Sequence, residues 1–236
     1  MVQWKTTLPR ADYDLNLHLG YAAWTDDGQT WHSPVLLEGT LGHYIWRAAV
    51  AGEKAWLCGR RKPGFEVLAK GEPRETESLI LESDDGLIWR HGGQFQSAEG
   101  DETAFQFLAD GSGLAIARHG SGLAAGLLQS PTPSGPWTRT DLGQSIGGPL
   151  LARWQNRWVV AGRRTPPGEG PRTAFWWLVD GQLQPLAELP SGGDNSYPGL
   201  VELADGRALI SWYSSHEKDE RGQPITAIYL AELSLQ

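Results

Sequence analysis

The sequence predicts an all-β fold, a β-propeller of four-stranded antiparallel blades. Helical periodicity is weak throughout, and short alternating or apolar runs recur between Gly, Asp and Pro instead. The 236 residues include 30 Gly, 15 Pro and 12 Trp, a combination suited to short strands, tight turns and large aromatics filling the gaps. The candidate strands fall into groups spaced by roughly 40–50 residues, which is the period of propeller blades.

In chain order the candidate strands are LGYAAW, YIWRAAV, KAWLCGR, SLILES, AFQFLA, LAIAR, AAGLLQS, PLLARW, RWVVAGR, AFWWLV, GLVELA, RALISWY and AIYLAEL. Hairpin turn signals separate many neighbours: DDG at Asp26–Gly28 and Asp84–Gly86, ADG at Ala109–Gly111 and Ala204–Gly206, VDG at Val179–Gly181. Four groups are complete and start near Tyr44, Glu102, Ile146 and Ser196. Residues 1–40 supply only the later strands of a fifth. About five blades are expected, the first incomplete.

Bulk properties exclude several function classes. A net charge of −8 gives no electrostatic footprint for nucleic acid or acidic membranes. The single Cys58 rules out an internal disulfide framework, and no Cys/His cluster has zinc spacing, so neither metal nor cofactor is expected. No apolar run approaches the ~20 residues of a membrane span. The start MVQWKTTLPRADYD lacks the apolar core of a signal peptide, which makes a cytoplasmic location the default expectation.

Two segments align as D-x-G-x-x-W: Asp26, Gly28, Trp31 and Asp84, Gly86, Trp89. In such a turn the Asp side chain accepts backbone N–H bonds, Gly takes positive φ and the Trp packs back over the hairpin. Asp26 and Asp84 are therefore read as turn staples rather than catalytic or metal-binding acids. A metal site would want more converging oxygens than one Asp per turn. SPTPSGPW, Ser130 to Trp137, reads as a degenerate third copy at the same place in its blade.

The non-repeating segments carry the functional signal: IWR at Ile45–Arg47, DETAF at Asp101–Phe105, LAIAR ending at Arg118, IGGP at Ile146–Pro149, VVAGRR ending at Arg164 and GGDNSYPGLV at Gly192–Val201. In a propeller the innermost strands line the channel, so charged residues there meet despite large sequence separation.

Taken together, YIWR, ETAFQFLADG, IGGPLLARW, VVAGRR, LPSGGDNSYPGLV and SWYSSHE followed by TAIYLAEL resemble the sialidase (neuraminidase) superfamily of BNR/Asp-box propellers, most of all uncharacterised bacterial sialidase-family proteins. The likeness runs over nearly the whole chain and is strongest after Ile146. It implies a single sialidase-like propeller domain over residues 1–236. It implies a glycoside hydrolase acting on a terminal acidic sugar, with a tyrosine nucleophile in place of a carboxylate. Tyr197 matches the nucleophile and Glu102 the base that takes its proton. Arg118 and Arg163 match arginines that hold the substrate carboxylate, and Arg47 fits a pocket residue. Asp194 and His216, in the C-terminal motif, contact the sugar or brace Tyr197. The implied partner is an acidic glycan or sugar, with no nucleic acid and no membrane.

The chain also departs from that pattern. Related proteins begin with one to two further blades carrying an early arginine and an aspartate that serves as general acid/base. No such motif precedes Asp26; Asp12 and Asp14 lie in the right direction without one. The expectation is a propeller lacking N-terminal blade(s). A non-catalytic carbohydrate-binding propeller that has lost its acid/base stays open beside the hydrolase. Arg60, Arg61 and Arg164 read as solvated. Of the adjacent Trp176 and Trp177, which face opposite sides of a strand, one is expected in the core.

Overall fold

A computed structural model describes residues 18–63 and 75–235. Asp12, Asp14 and residues 64–74 lie outside the described residues. The fold is all-β, and its sheets are antiparallel meanders arranged as propeller blades. The first complete blade runs β3 (Tyr44–Ala51), β4 (Lys54–Arg61), β5 (Glu77–Ser83) and β6 (Arg90–Gln96). The next has β7 (Gly100–Phe107), β8 (Gly113–His119), β9 (Gly126–Ser130) and β10 (Thr138–Asp141). The third has β11 (Gly147–Trp154), β12 (Arg157–Arg164), β13 (Arg172–Val179) and β14 (Gln182–Glu188). The last has three strands, β15 (Asn195–Glu202), β16 (Ala208–Lys218) and β17 (Pro224–Leu233). A two-stranded piece, β1 (Tyr21–Ala22) with β2 (Val35–Leu36), stands for the incomplete first blade. The four groups begin at Tyr44, Gly100, Gly147 and Asn195, within two residues of the expected starts, but the last has three strands where a four-stranded blade was expected. Among the described residues no helix is long and apolar enough to cross a membrane.

The contacts divide the chain into two compact units. One holds Met1–Asp101, Phe107–Gly113 and Ser130–Trp137; the other holds Glu102–Gln106, Leu114–Gln129 and Thr138–Gln236. In the first, Leu37, Ile45, Leu57, Leu81 and Trp89 form a buried cluster. In the second, Trp154, Val159, Phe175, Trp177, Ile210 and Trp212 bury the facing sides of the third and fourth blades. Trp154 is fully buried, and its indole N–H donates to the Gly206 carbonyl at 2.8 Å, so the large ring enters the core with its one polar atom satisfied. Trp176 and Trp177 are both buried, where one was expected, because the β13 sheet is covered on both faces.

The D-x-G-x-x-W turns staple through the second acid of each pair, not the first. Asp27 accepts the N–H groups of Gln29 (2.8 Å) and Thr30 (2.7 Å); Asp85 accepts those of Leu87 and Ile88, both at 2.8 Å. These bonds hold both carboxyls below the usual carboxylate range. Asp26 and Asp84 reach outward instead, to His32 (2.7 Å) and Arg90 (2.5 Å). The residue before the acidic pair completes the turn: Thr25 Oγ1 and Ser83 Oγ accept the N–H of Gly28 and Gly86. Trp89 packs back over its hairpin and is buried, whereas Trp31 is 63% exposed. Asp85→Ala is expected to lower the melting temperature clearly more than Asp84→Ala, since only the former orphans turn N–H groups; equal effects in thermal unfolding would contradict this assignment.

Candidate functional site

The first strands of three blades share a defect at one position. Their pairing with the second strand slips so that two residues oppose one: Trp46–Arg47 in β3, Gly148–Pro149 in β11 and Tyr197–Pro198 in β15. A bulge interrupts alternation and re-aims a side chain. The three bulges coincide with the IWR, GGP and SYP segments that the sequence marks as non-repeating.

Two of these bulges build the site, and all of its parts below lie in the second unit. Tyr197 has φ of +52°, the left-handed region that non-glycine residues avoid. Such backbone costs about 1–3 kcal/mol and clusters at functional sites. It turns the phenol toward Glu102, to which the hydroxyl donates at 3.1 Å across 95 residues of chain separation. Glu102 is 5% exposed and accepts two further bonds, from the Gly148 N–H at 2.7 Å and from the Arg118 guanidinium at 3.0 Å. A buried carboxylate supplied with an arginine and a backbone donor is compensated where it would otherwise be costly. Gly148 is itself at φ +56°, and a Cβ there would sit 2.3 Å from Tyr197 Cδ1 and 2.4 Å from Ser196 Oγ. Only a glycine lets β11 pass the tyrosine this closely.

Arg163 closes the other side. Its Nη1 donates to Asp194 Oδ1 at 3.1 Å and to the Asn195 carbonyl at 3.3 Å. Asp194 also accepts the Tyr213 hydroxyl at 2.8 Å, and the rings of Tyr213 and Tyr197 lie 5.3 Å apart. Burial first, and the hydrogen bond to the Asp194 carboxylate second, push the Tyr213 phenol up to about 12. Because the folded value lies above that of a free phenol, about 10, the neutral form is the one the fold favours. Its stabilising contribution is complete below pH 10 and is lost as pH rises from about 10 to about 12. In an ultraviolet difference titration, Asp194→Asn is expected to move this phenol's ionisation to lower pH. An unchanged titration would remove Asp194 as a cause.

Glu102, Tyr197, Arg118, Arg163 and Asp194 thus come together as the sequence grouped them. His216 lies elsewhere in its contacts: its Nδ1 meets Ser214 Oγ at 2.9 Å and its ring lies 4.6 Å from that of Tyr229. Arg47 belongs to the first unit, in the β3 bulge, where its N–H donates to Cys58 Sγ at 3.3 Å. Sequence reasoning missed Tyr213. The available signal was alternation in SWYSSHE, which sets Tyr213 on the face opposite buried Trp212, directly across from Ser196. Of the three arginines read as solvated, Arg61 and Arg164 keep 40% and 35% of their side chains exposed, and Arg60 departs from that reading most. Arg61 pairs with Glu77 at 2.5 Å and Arg164 with Glu188 at 3.1 Å, and Arg60 pairs with buried Asp101. Arg60 opposes Tyr44, two residues before the β3 bulge, whereas Arg163 opposes Gly147, immediately before the β11 bulge. Among the described residues no three His, Cys, Asp or Glu side chains gather as metal ligands would.

No protein-family model matches the sequence, and no curated protein matches it. Solved structures do. The GH32 beta-fructofuranosidase BmSUC1 of Bombyx mori superposes over 93% of this chain and 54% of its own, at 15% identity and TM-score 0.60. NanB sialidase of Streptococcus pneumoniae covers 90% of this chain and 35% of its own, at 16% identity and TM-score 0.56. Zg3597, a family 117 glycoside hydrolase of Zobellia galactanivorans, covers 94% and 76%, at 9% identity and TM-score 0.53. The chain spans about half the length of the fructofuranosidase and about a third of the sialidase. At these identities the likeness carries the fold alone, and that fold is the β-propeller on which glycoside hydrolases of several families are built.

Proposed function

We propose that residues 1–236 act as a single sialidase-like propeller domain that hydrolyses the glycosidic bond of a terminal acidic sugar. The contact between the Tyr197 hydroxyl and buried Glu102 carries this reading. A neutral phenol can approach an anomeric carbon that bears a carboxylate, where an anionic nucleophile would be repelled. Glu102 takes the phenol proton as the Tyr197 oxygen bonds to the anomeric carbon and the leaving-group oxygen departs. The departing oxygen takes a proton from solvent; water then attacks the glycosyl-tyrosine and gives up a proton to solvent, while Glu102 returns its proton to the tyrosine oxygen. Arg118 and Arg163 hold the sugar carboxylate through their planar N–H forks.

One observation favours a second reading, a propeller that binds acidic sugars without cleaving them. The remaining carboxylate of the cluster, Asp194, serves as acceptor to both Arg163 and Tyr213, so it is not poised to donate a proton to a leaving group. The two readings divide on substrate. An aryl glycoside with an acidic leaving group departs without protonation, so the hydrolase reading expects turnover of a fluorogenic sialoside. The binding reading expects affinity with no turnover. Both expect Arg118→Ala to weaken binding of free sialic acid by about 10–100-fold in calorimetry. No affinity across a panel of acidic sugars would sink both.

A further inference from the structure

The last blade ends on an open edge. The third strands β5, β9 and β13 each pair with a fourth strand, whereas among the described residues β17 pairs only with β16. The outer row of backbone N–H and C=O groups on such a strand is a template for another, and proteins normally blunt it with lysine, proline, a bulge or short length. β17 uses none of these along its run. It is ten residues long, its only proline is Pro224 at the first position, and it carries no lysine or arginine. The irregularity in its pairing puts the extra residues on the β16 side. Its one acid, Glu232, is paired with Arg207. Ile228 and Leu230 stand 79% and 67% exposed, on the face opposite Tyr229, which packs on Trp212.

The residue order of β17 names the strand that fits it. Around Tyr229 the run ITAIYLAEL, Ile225 to Leu233, reads alike in both directions: Ile228 balances Leu230, Ala227 balances Ala231, Thr226 balances Glu232 and Ile225 balances Leu233. An antiparallel copy centred on Tyr229 therefore sets branched aliphatic against branched aliphatic and alanine against alanine, with opposed residues on one face. The register in which Ile228 opposes itself sets Ala227 against Tyr229 and Ile225 against Ala231, large against small. Pairing about Tyr229 opposes no like charges and leaves Pro224, which has no N–H, outside it. Its two-fold axis closes the assembly at two copies. We propose that β17 is a dimerisation strand, pairing antiparallel with β17 of a second copy of this chain. Each last blade then gains its fourth strand, and the two blades join into one continuous sheet.

The test is the assembly state of the full chain. Sedimentation velocity between about 1 and about 100 μM is expected to show a reversible step from monomer to dimer and no larger species. Ile228→Lys and Leu230→Glu, both at exposed positions, are each expected to weaken association at least about tenfold while the monomer keeps its melting temperature. The double variant sets the introduced lysine of one copy against the introduced glutamate of the other. It is expected to associate at least about fivefold more tightly than either single variant. In hydrogen exchange, the β17 amides that point away from β16 are expected to gain protection as chain concentration rises. A monomer across that range, assembly beyond two copies, a dimer that both single variants leave intact, or a double variant as weak as the single ones would overturn the proposal. Protection of those outward amides in the monomer would overturn it too, because a segment of the same chain would then occupy the edge.

Discussion

Replacing Tyr197 by phenylalanine is expected to lower turnover of a fluorogenic sialoside at least about a thousand-fold and to leave the fold in place. A thousand-fold corresponds to about 4 kcal/mol of barrier. The substitution removes one oxygen, which donates to Glu102 at 3.1 Å, from a side chain that is 43% exposed. One such hydrogen bond contributes about 1 kcal/mol to stability. Glu102 keeps the Gly148 N–H and Arg118 as partners, so the buried carboxylate is not orphaned. Kinetics and unfolding therefore separate the chemical role from the structural one: a large loss in kcat with a small loss in melting temperature marks the nucleophile. Unchanged turnover with the same melting temperature would remove Tyr197 from the chemistry.

Gly148→Ala is expected to damage both fold and site. The new methyl would stand 2.3 Å from Tyr197 Cδ1 and 2.4 Å from Ser196 Oγ, distances that force something to move. The backbone there is at φ +56°, which alanine adopts only with strain. Clash and strain together are expected to cost at least about 2 kcal/mol in denaturant unfolding. The relief open to the chain is displacement of Tyr197. Misplacing a reacting group by about 1 Å costs on the order of a hundred-fold in rate, so kcat should fall by at least that in the fraction that stays folded. A variant with native stability would mean that the close passage of β11 past Tyr197 is not a constraint.

The inner strands were legible in the sequence and the outer ones were not. First, second and third strands are apolar or alternate, because they face neighbours on at least one side. The fourth strands, RHGGQFQ, TRTD and QLQPLAE, show no period of two, and β10 is exposed at every position. Their structure comes from hydrogen bonding to the third strand rather than from burial, so no pattern announces them. The turn acids were misassigned for a related reason. Aligning on Gly and Trp gives both acids of each pair equal standing, and the choice between Asp26 and Asp27 is made by which oxygen can reach the N–H groups two and three residues on.

The candidate site was legible where strand pattern breaks. IWR, GGP and SYP looked foreign to their strands because each is a bulge, and two of these bulges bring Tyr197 and Gly148 to Glu102. Tyr213 stayed hidden because it obeys the alternation of β16 and therefore reads as an ordinary strand residue.

The most direct measurement of the central claim is the identity of the residue that bonds to the sugar. A sialosyl fluoride carrying a second fluorine beside the anomeric carbon has a good leaving group and a destabilised cationic transition state, so the glycosyl-enzyme forms faster than it is hydrolysed. Peptide mass spectrometry after incubation with this compound is predicted to find the added sugar mass on Tyr197, and to lose it in Tyr197→Phe. Sugar mass on Glu102 or any other side chain, or turnover of the fluorogenic sialoside without label on Tyr197, would contradict the account.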